Sequence, residues 1–101
     1  MIKHLVAFRF KPGISDDTRD SILAEMRTFP KRFPAMRNWA DGKNISKRDQ
    51  MFEYAFVVEF DAEAELLSYL NSEEHERFVK ERFRPYVETR AIVSFETGGK
   101  G

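Results

Sequence analysis

The first ten residues constrain the fold most. Ile2, His4, Val6, Phe8 and Phe10 alternate with Lys3, Leu5, Ala7 and Arg9. Successive side chains of an extended chain point to opposite faces, so this alternation is a strand with one apolar face. Pro12-Gly13 ends it. A second stretch repeats the pattern: Phe52, Tyr54, Phe56, Val58 and Phe60 alternate with Glu53, Ala55, Val57 and Glu59. Two strands with an apolar face each need a cover, and the segments between them supply it.

Ser15 is a good N-cap, and Asp16 and Asp17 put negative charge in the first helical turn. Ile22, Leu23, Met26 and Phe29 follow at helical spacing. Pro30 is expected to stop this helix, leaving Phe29 to Pro34 as a connector. Met36 to Ser46 reads as a weaker strand carrying Trp39, interrupted at Asp41-Gly42, where a glycine within a strand suggests a bulge or a close backbone approach. Ser46 to Gln50 is a polar turn. Residues 62–71 form a short helix with Leu66, Tyr69 and Leu70 on one face. Ser72 caps the next helix, whose face carries His75, Phe78, Val79, Arg82 and Phe83 until Pro85. Ala91, Ile92, Val93 and Phe95 make the last strand, and residues 98–101 are expected to be a flexible tail.

The order is βαββαβ, the split arrangement of ferredoxin-like domains. It predicts an α+β fold: an antiparallel four-stranded sheet with its helices on one face. The 101 residues suit one domain, spanning 1–97.

Charge and composition narrow the function. Seventeen basic residues balance seventeen acidic ones, which argues against broad nucleic-acid binding. With no cysteine, thiol catalysis and iron–sulfur chemistry are excluded. No apolar run reaches the ~20 residues that span a bilayer, and MIKHLVAFRFKP lacks the features of a signal peptide. A cytoplasmic location is the expectation, with no membrane partner. Two histidines without HxH or HExxH spacing make a poor metal site. No glycine-rich phosphate loop or nucleophile elbow is present. Lys80, Arg82 and Arg84 with Tyr86 read as a solvated helix end.

The sheet face turned from the helices is expected to hold Leu5, Ala7, Ala55 and Val57 at its centre. Lys3 is placed near Glu59, and Arg9 near Glu53, at the rim. An apolar centre inside a charged rim is interface anatomy, so this face is the expected seam of a homodimer. The plainer reading is a few small exposed hydrophobes.

His4, Tyr69 and His75 fall on the opposite, inward faces. Buried polar groups need partners. These three either satisfy one another within a filled core or line a cavity.

Taken together, several stretches resemble the stress-responsive A/B barrel (Dabb) family. They are Ile2-Lys3-His4-Leu5-Val6 with Phe8 to Pro12, Phe33-Pro34-Ala35-Met36, Gly42-Lys43-Asn44, Tyr54 to Phe60, Tyr69-Leu70, His75 to Val79, and Pro85. The resemblance covers the chain to Thr97. It implies a ferredoxin-like subunit that pairs through its sheet into a dimeric α/β barrel. One member of the family, the plant polyketide cyclase that makes olivetolic acid, closes a linear polyketide by aldol condensation without a cofactor. Its catalytic histidine and tyrosine match His75 and Tyr69, and a further pocket histidine matches His4. Its apolar substrate-binding wall matches Val6, Phe8, Ile22, Leu23, Met26, Phe56, Val58, Phe78 and Tyr86. Where members commonly carry His-Pro-x-His, this chain has Ser72-Glu73-Glu74-His75.

Three functions follow from these residues. The first is a cofactor-independent lyase or cyclase acting on a small carbonyl or polyketide-like compound. His75 would be its base, Tyr69 its oxyanion donor and His4 an orienting group. The second is a non-catalytic dimer that binds a small hydrophobic ligand or stabilises under stress. The third is a monooxygenase-like enzyme, because related ferredoxin-like dimers oxidise polyketides or haem.

Overall fold

A computed structural model describes residues 1–98 of the chain. The expected tail extends over Gly99, Lys100 and Gly101, which lie outside the described residues. The elements run β1 (Ile2–Phe10), α1 (Asp16–Met26), α2 (Phe29–Arg32), β2 (Arg37–Lys43) and β3 (Tyr54–Phe60). They continue with α3 (Glu63–Leu70), α4 (Glu73–Phe78), a π-helical segment (Val79–Phe83) and β4 (Val87–Glu96). The four strands form one antiparallel sheet in the order β2-β3-β1-β4. This is the ferredoxin-like α+β arrangement that the element order predicts.

β1 is central because it pairs on both sides, with Leu5 opposite Val57 on β3 and Val93 on β4. Its alternation becomes the layering of the molecule: Ile2, His4, Val6, Phe8 and Phe10 are buried, and the residues between them are half-buried. The helices supply Ile22, Met26, Phe29, Leu66, Tyr69, Phe78 and Phe83 to the same core. No helix among the described residues is long and apolar enough to cross a membrane.

Four local expectations are corrected. The Phe29–Pro34 connector contains the one-turn helix α2. Pro30 sits in its first turn, where the missing N–H costs nothing, and Phe29 is buried. α1 has already ended at Met26. The irregularity in β2 lies between Arg37 and Ala40, not at Gly42, which pairs in register with Ala55. Asn38 makes it: its φ is 53°, a left-handed value that asparagine tolerates better than most residues. The Asn38 amide donates to Glu59 at 2.8 Å. With Lys3 also on it, the Glu59 carboxyl is held below its usual range.

The third correction concerns Arg9. It pairs with Glu88 and not with Glu53. Glu53 precedes β3 and turns to the other side, accepting from the Phe10 N–H at 3.0 Å and facing Arg19 at 3.3 Å. The expected Lys3–Glu59 pair is present at 3.1 Å. The fourth is the helix after Ser72, which widens into a π turn closed by the Arg84 N–H on the Val79 carbonyl at 2.8 Å. A π turn closes i→i+5, which brings Phe78 and Phe83 onto one face. Both are buried, their ring centroids 6.4 Å apart. Arg82, read from its spacing as part of that face, instead meets Glu25 and Ser21 on α1.

Candidate functional site

The corner between α3 and α4 is tied by one hydroxyl. Ser72 Oγ donates to the Tyr69 carbonyl at 2.8 Å and accepts from the His75 N–H at 3.1 Å. The N-cap signal at Ser72 is thus also what holds Tyr69 and His75 together, their ring centroids 4.5 Å apart. His4 comes from β1 beneath them, with its ring 6.2 Å from that of Tyr69.

These three side chains border one cavity of about 150 Å³. Val6, Met26, Phe56 and Phe78 line it as well. Phe8, Ile22, Leu23, Val58 and Tyr86, expected on the same wall, do not. Ile22 and Val58 are fully buried in the core, and Phe8 and Leu23 border a small cleft beside Trp39. Tyr86 packs on the core's margin. Phe56 is covered by Trp39, stacked at 4.5 Å. The remaining lining comes from residues not expected there: Phe29, Leu70, Val79, Phe83, Arg90 and Ile92. The β1–β4 register explains the last two, because Ile92 lies opposite Val6 and Arg90 opposite Phe8 on the inward face.

The electrostatics follow from burial. His4 is 2% exposed, and desolvation, aided by repulsion from His75, pushes its pKa down to about 4. Its Nδ1 lies 2.7 Å from Ser94 Oγ, on the strand that pairs with its own. Burial lowers the His75 pKa as well, so both rings are neutral at pH 7. His75 Nδ1 lies 3.1 Å from the Leu70 carbonyl oxygen. A carbonyl only accepts, so Nδ1 carries the proton and Nε2 keeps the ring's basic lone pair. Desolvation raises the Tyr69 pKa. Its hydroxyl therefore stays protonated and has no hydrogen-bond partner among the described residues.

The site thus combines a neutral imidazole with a free lone pair, a phenol donor and a second neutral imidazole, all against an aromatic wall. Among the described residues no three His, Cys, Asp or Glu side chains cluster closely enough to hold a metal.

The chain matches the family model of the stress responsive A/B barrel domain over residues 2–97. No match is found among curated proteins. Solved structures similar to it include a hydroxynitrile lyase from Passiflora edulis. It is 24% identical, with 99% of this chain and 95% of that one covered and a TM-score of 0.89. A Dabb family protein with a ferredoxin-like fold from Mesorhizobium loti is 21% identical, with 97% of each chain covered and a TM-score of 0.86. A dimeric ferredoxin-like protein of unknown function from Thermobifida fusca is 21% identical, with 95% and 90% covered and a TM-score of 0.80.

Proposed function

Because this chain belongs to the stress responsive A/B barrel domain family, we propose that it is a homodimer whose subunits each carry a cofactor-independent lyase or cyclase site at His4, Tyr69 and His75. The observation that carries this reading is the single apolar cavity on which the three polar groups converge. The lyase activity of the Passiflora edulis relative supports it.

The chemistry is base-catalysed carbon–carbon bond making or breaking beside a carbonyl. His75 Nε2 takes the proton from the carbon next to the carbonyl. The electron pair moves onto the carbonyl oxygen, and the enolate oxygen accepts a hydrogen bond from the Tyr69 hydroxyl. The enolate carbon then adds to a second carbonyl, and the His75 imidazolium returns its proton to the new alkoxide. His4, held by Ser94, orients the substrate's second polar group. The apolar wall strengthens each of these contacts by excluding water.

The test follows two reactions by absorbance: ring closure of a linear polyketide analogue, and benzaldehyde release from an aromatic cyanohydrin. In the second, His75 Nε2 takes the hydroxyl proton, the bond to cyanide breaks as the carbonyl forms, and the imidazolium returns the proton to the departing cyanide. His75→Gln should lower turnover about 100-fold or more, and Tyr69→Phe at least about tenfold, with melting temperatures nearly unchanged. Equal rates in the wild type and both variants would refute the catalytic role.

One observation favours a second reading, a non-catalytic carrier: His75 is anchored to a backbone carbonyl, as a structural histidine is. A carrier binds such compounds and turns none over.

The homodimer rests on the outward sheet face. Leu5, Ala7, Ala55 and Val57 floor a broad hollow of about 520 Å³ there. Val93 and Phe95 of β4 extend the same face, and both are about half exposed. Exposed contiguous apolar surface of this kind marks an interaction site. The Thermobifida fusca relative is described as dimeric.

A further inference from the structure

We infer that the cavity takes an amphipathic ligand whose apolar part fills the space beside Tyr69 and whose oxyanion head, carboxylate or phosphate, lies between Arg84 and Arg90. This deepens the reading of the cavity as a ligand site and rests on it.

A second hollow, of about 160 Å³, adjoins the cavity and shares Val79, Phe83 and Arg90 with it. Arg84 borders the second hollow. It immediately follows the π segment, whose closing hydrogen bond its own N–H makes. Arg90 sits on the inward face of β4, opposite Phe8. Arg84 and Arg90 thus both border the hollow that adjoins the cavity.

The charges there are not already spent. The acidic residue that lines this hollow, Glu88, is held by Arg9 at 2.6 Å. Neither Arg84 nor Arg90 forms an ion pair with a carboxylate among the described residues, whereas Arg19, Arg27, Arg32 and Arg82 each do. Paired guanidiniums suit the flat or tetrahedral oxygens of an oxyanion. The inner chamber is the complement: a largely apolar cavity of about 150 Å³ has room for a ligand of benzene size. An aromatic ring with a short acidic arm fits both halves.

Calorimetric titration with phenylacetate, phenyl phosphate and neutral 2-phenylethanol tests this. At least one anion should bind about tenfold more tightly than the alcohol, as a charge-assisted contact is worth, and its affinity should fall as salt rises. Which anion gains identifies the head group. The Arg84→Gln/Arg90→Gln double variant should lose that advantage and keep the alcohol's affinity, which also shows that the cavity is intact. An anion that binds no better than the alcohol, or a double variant that keeps the preference, overturns the arginine assignment and leaves the cavity standing. Binding of none of the three probes overturns both.

Discussion

Lowering the pH from 7 to 5 should destabilise this protein through His4. The folded pKa is about 4, against 6.5 for a free side chain, because the ring is buried. The unfolded chain therefore binds a proton that the native state refuses. The stabilisation is fully present above pH 6.5 and is lost as the pH falls through the folded value. A separation of about 2.5 pKa units corresponds to about 3 kcal/mol. About 2 kcal/mol of this is lost by pH 5, before most carboxylates titrate. That is a large share of the 5–15 kcal/mol that holds a typical domain together. The assay is urea denaturation at half-unit steps from pH 7 to 5, for the wild type and for His4→Gln, which keeps a polar partner for Ser94. The wild type should lose about 2 kcal/mol more than the variant over this range. With two histidines in the chain, an NMR titration of the ring protons gives the same pKa directly. Equal slopes in the two proteins, or a His4 pKa above 6, would show that burial does not control this ring.

Three further outcomes are expected. Leu5→Asp puts a carboxylate in the centre of the proposed seam and should weaken dimerisation by about 3 kcal/mol or more, giving a monomer by light scattering at micromolar concentration; a dimer of unchanged stability would move the seam elsewhere. Phe29→Ala removes a ring that is 2% exposed and packs 4.9 Å from Phe78, so unfolding should become easier by about 3–5 kcal/mol; a loss below about 1 kcal/mol in urea melts would mean the site collapses freely. Asn38→Val should be less stable than Asn38→Gly by about 1–2 kcal/mol, because glycine accepts a φ of 53° and a branched side chain does not; the reverse ranking by thermal melts would remove the strain account.

The parts of the fold that were legible in the sequence are those where one period dominates. β1 and β3 each bury every second residue, so pattern and layer coincide. Ser15 and Ser72 were readable because an N-cap hydroxyl serves a local need, and each accepts the backbone N–H three residues on. β2 is an edge strand with almost no buried residue. Its irregularity therefore follows backbone conformation at Asn38, which hydrophobicity does not report. The inward polar trio was visible as polar residues on apolar faces. The wall around it was less so. Phe29 was read on the apolar helix stripe but not on the cavity wall, and the assignment of Ile92 and Arg90 depends on the β1–β4 register, which is long-range. Phe83 lies on the face its spacing predicts, but Arg82 was misaligned because helical spacing counts 3.6 residues per turn, and the segment that holds it does not.

That segment has a consequence for how such a pocket is tuned. A π turn is an α-helix carrying one residue too many. Deleting a single residue between Val79 and Phe83 would restore ordinary helical winding and set Phe78 and Phe83 four residues apart, which in an α-helix is again one face. The extra residue therefore bulges the helix beside Val79 while both rings stay on the core. A relative could gain or lose one codon there, reshaping that bulge, and keep both rings facing the ligand.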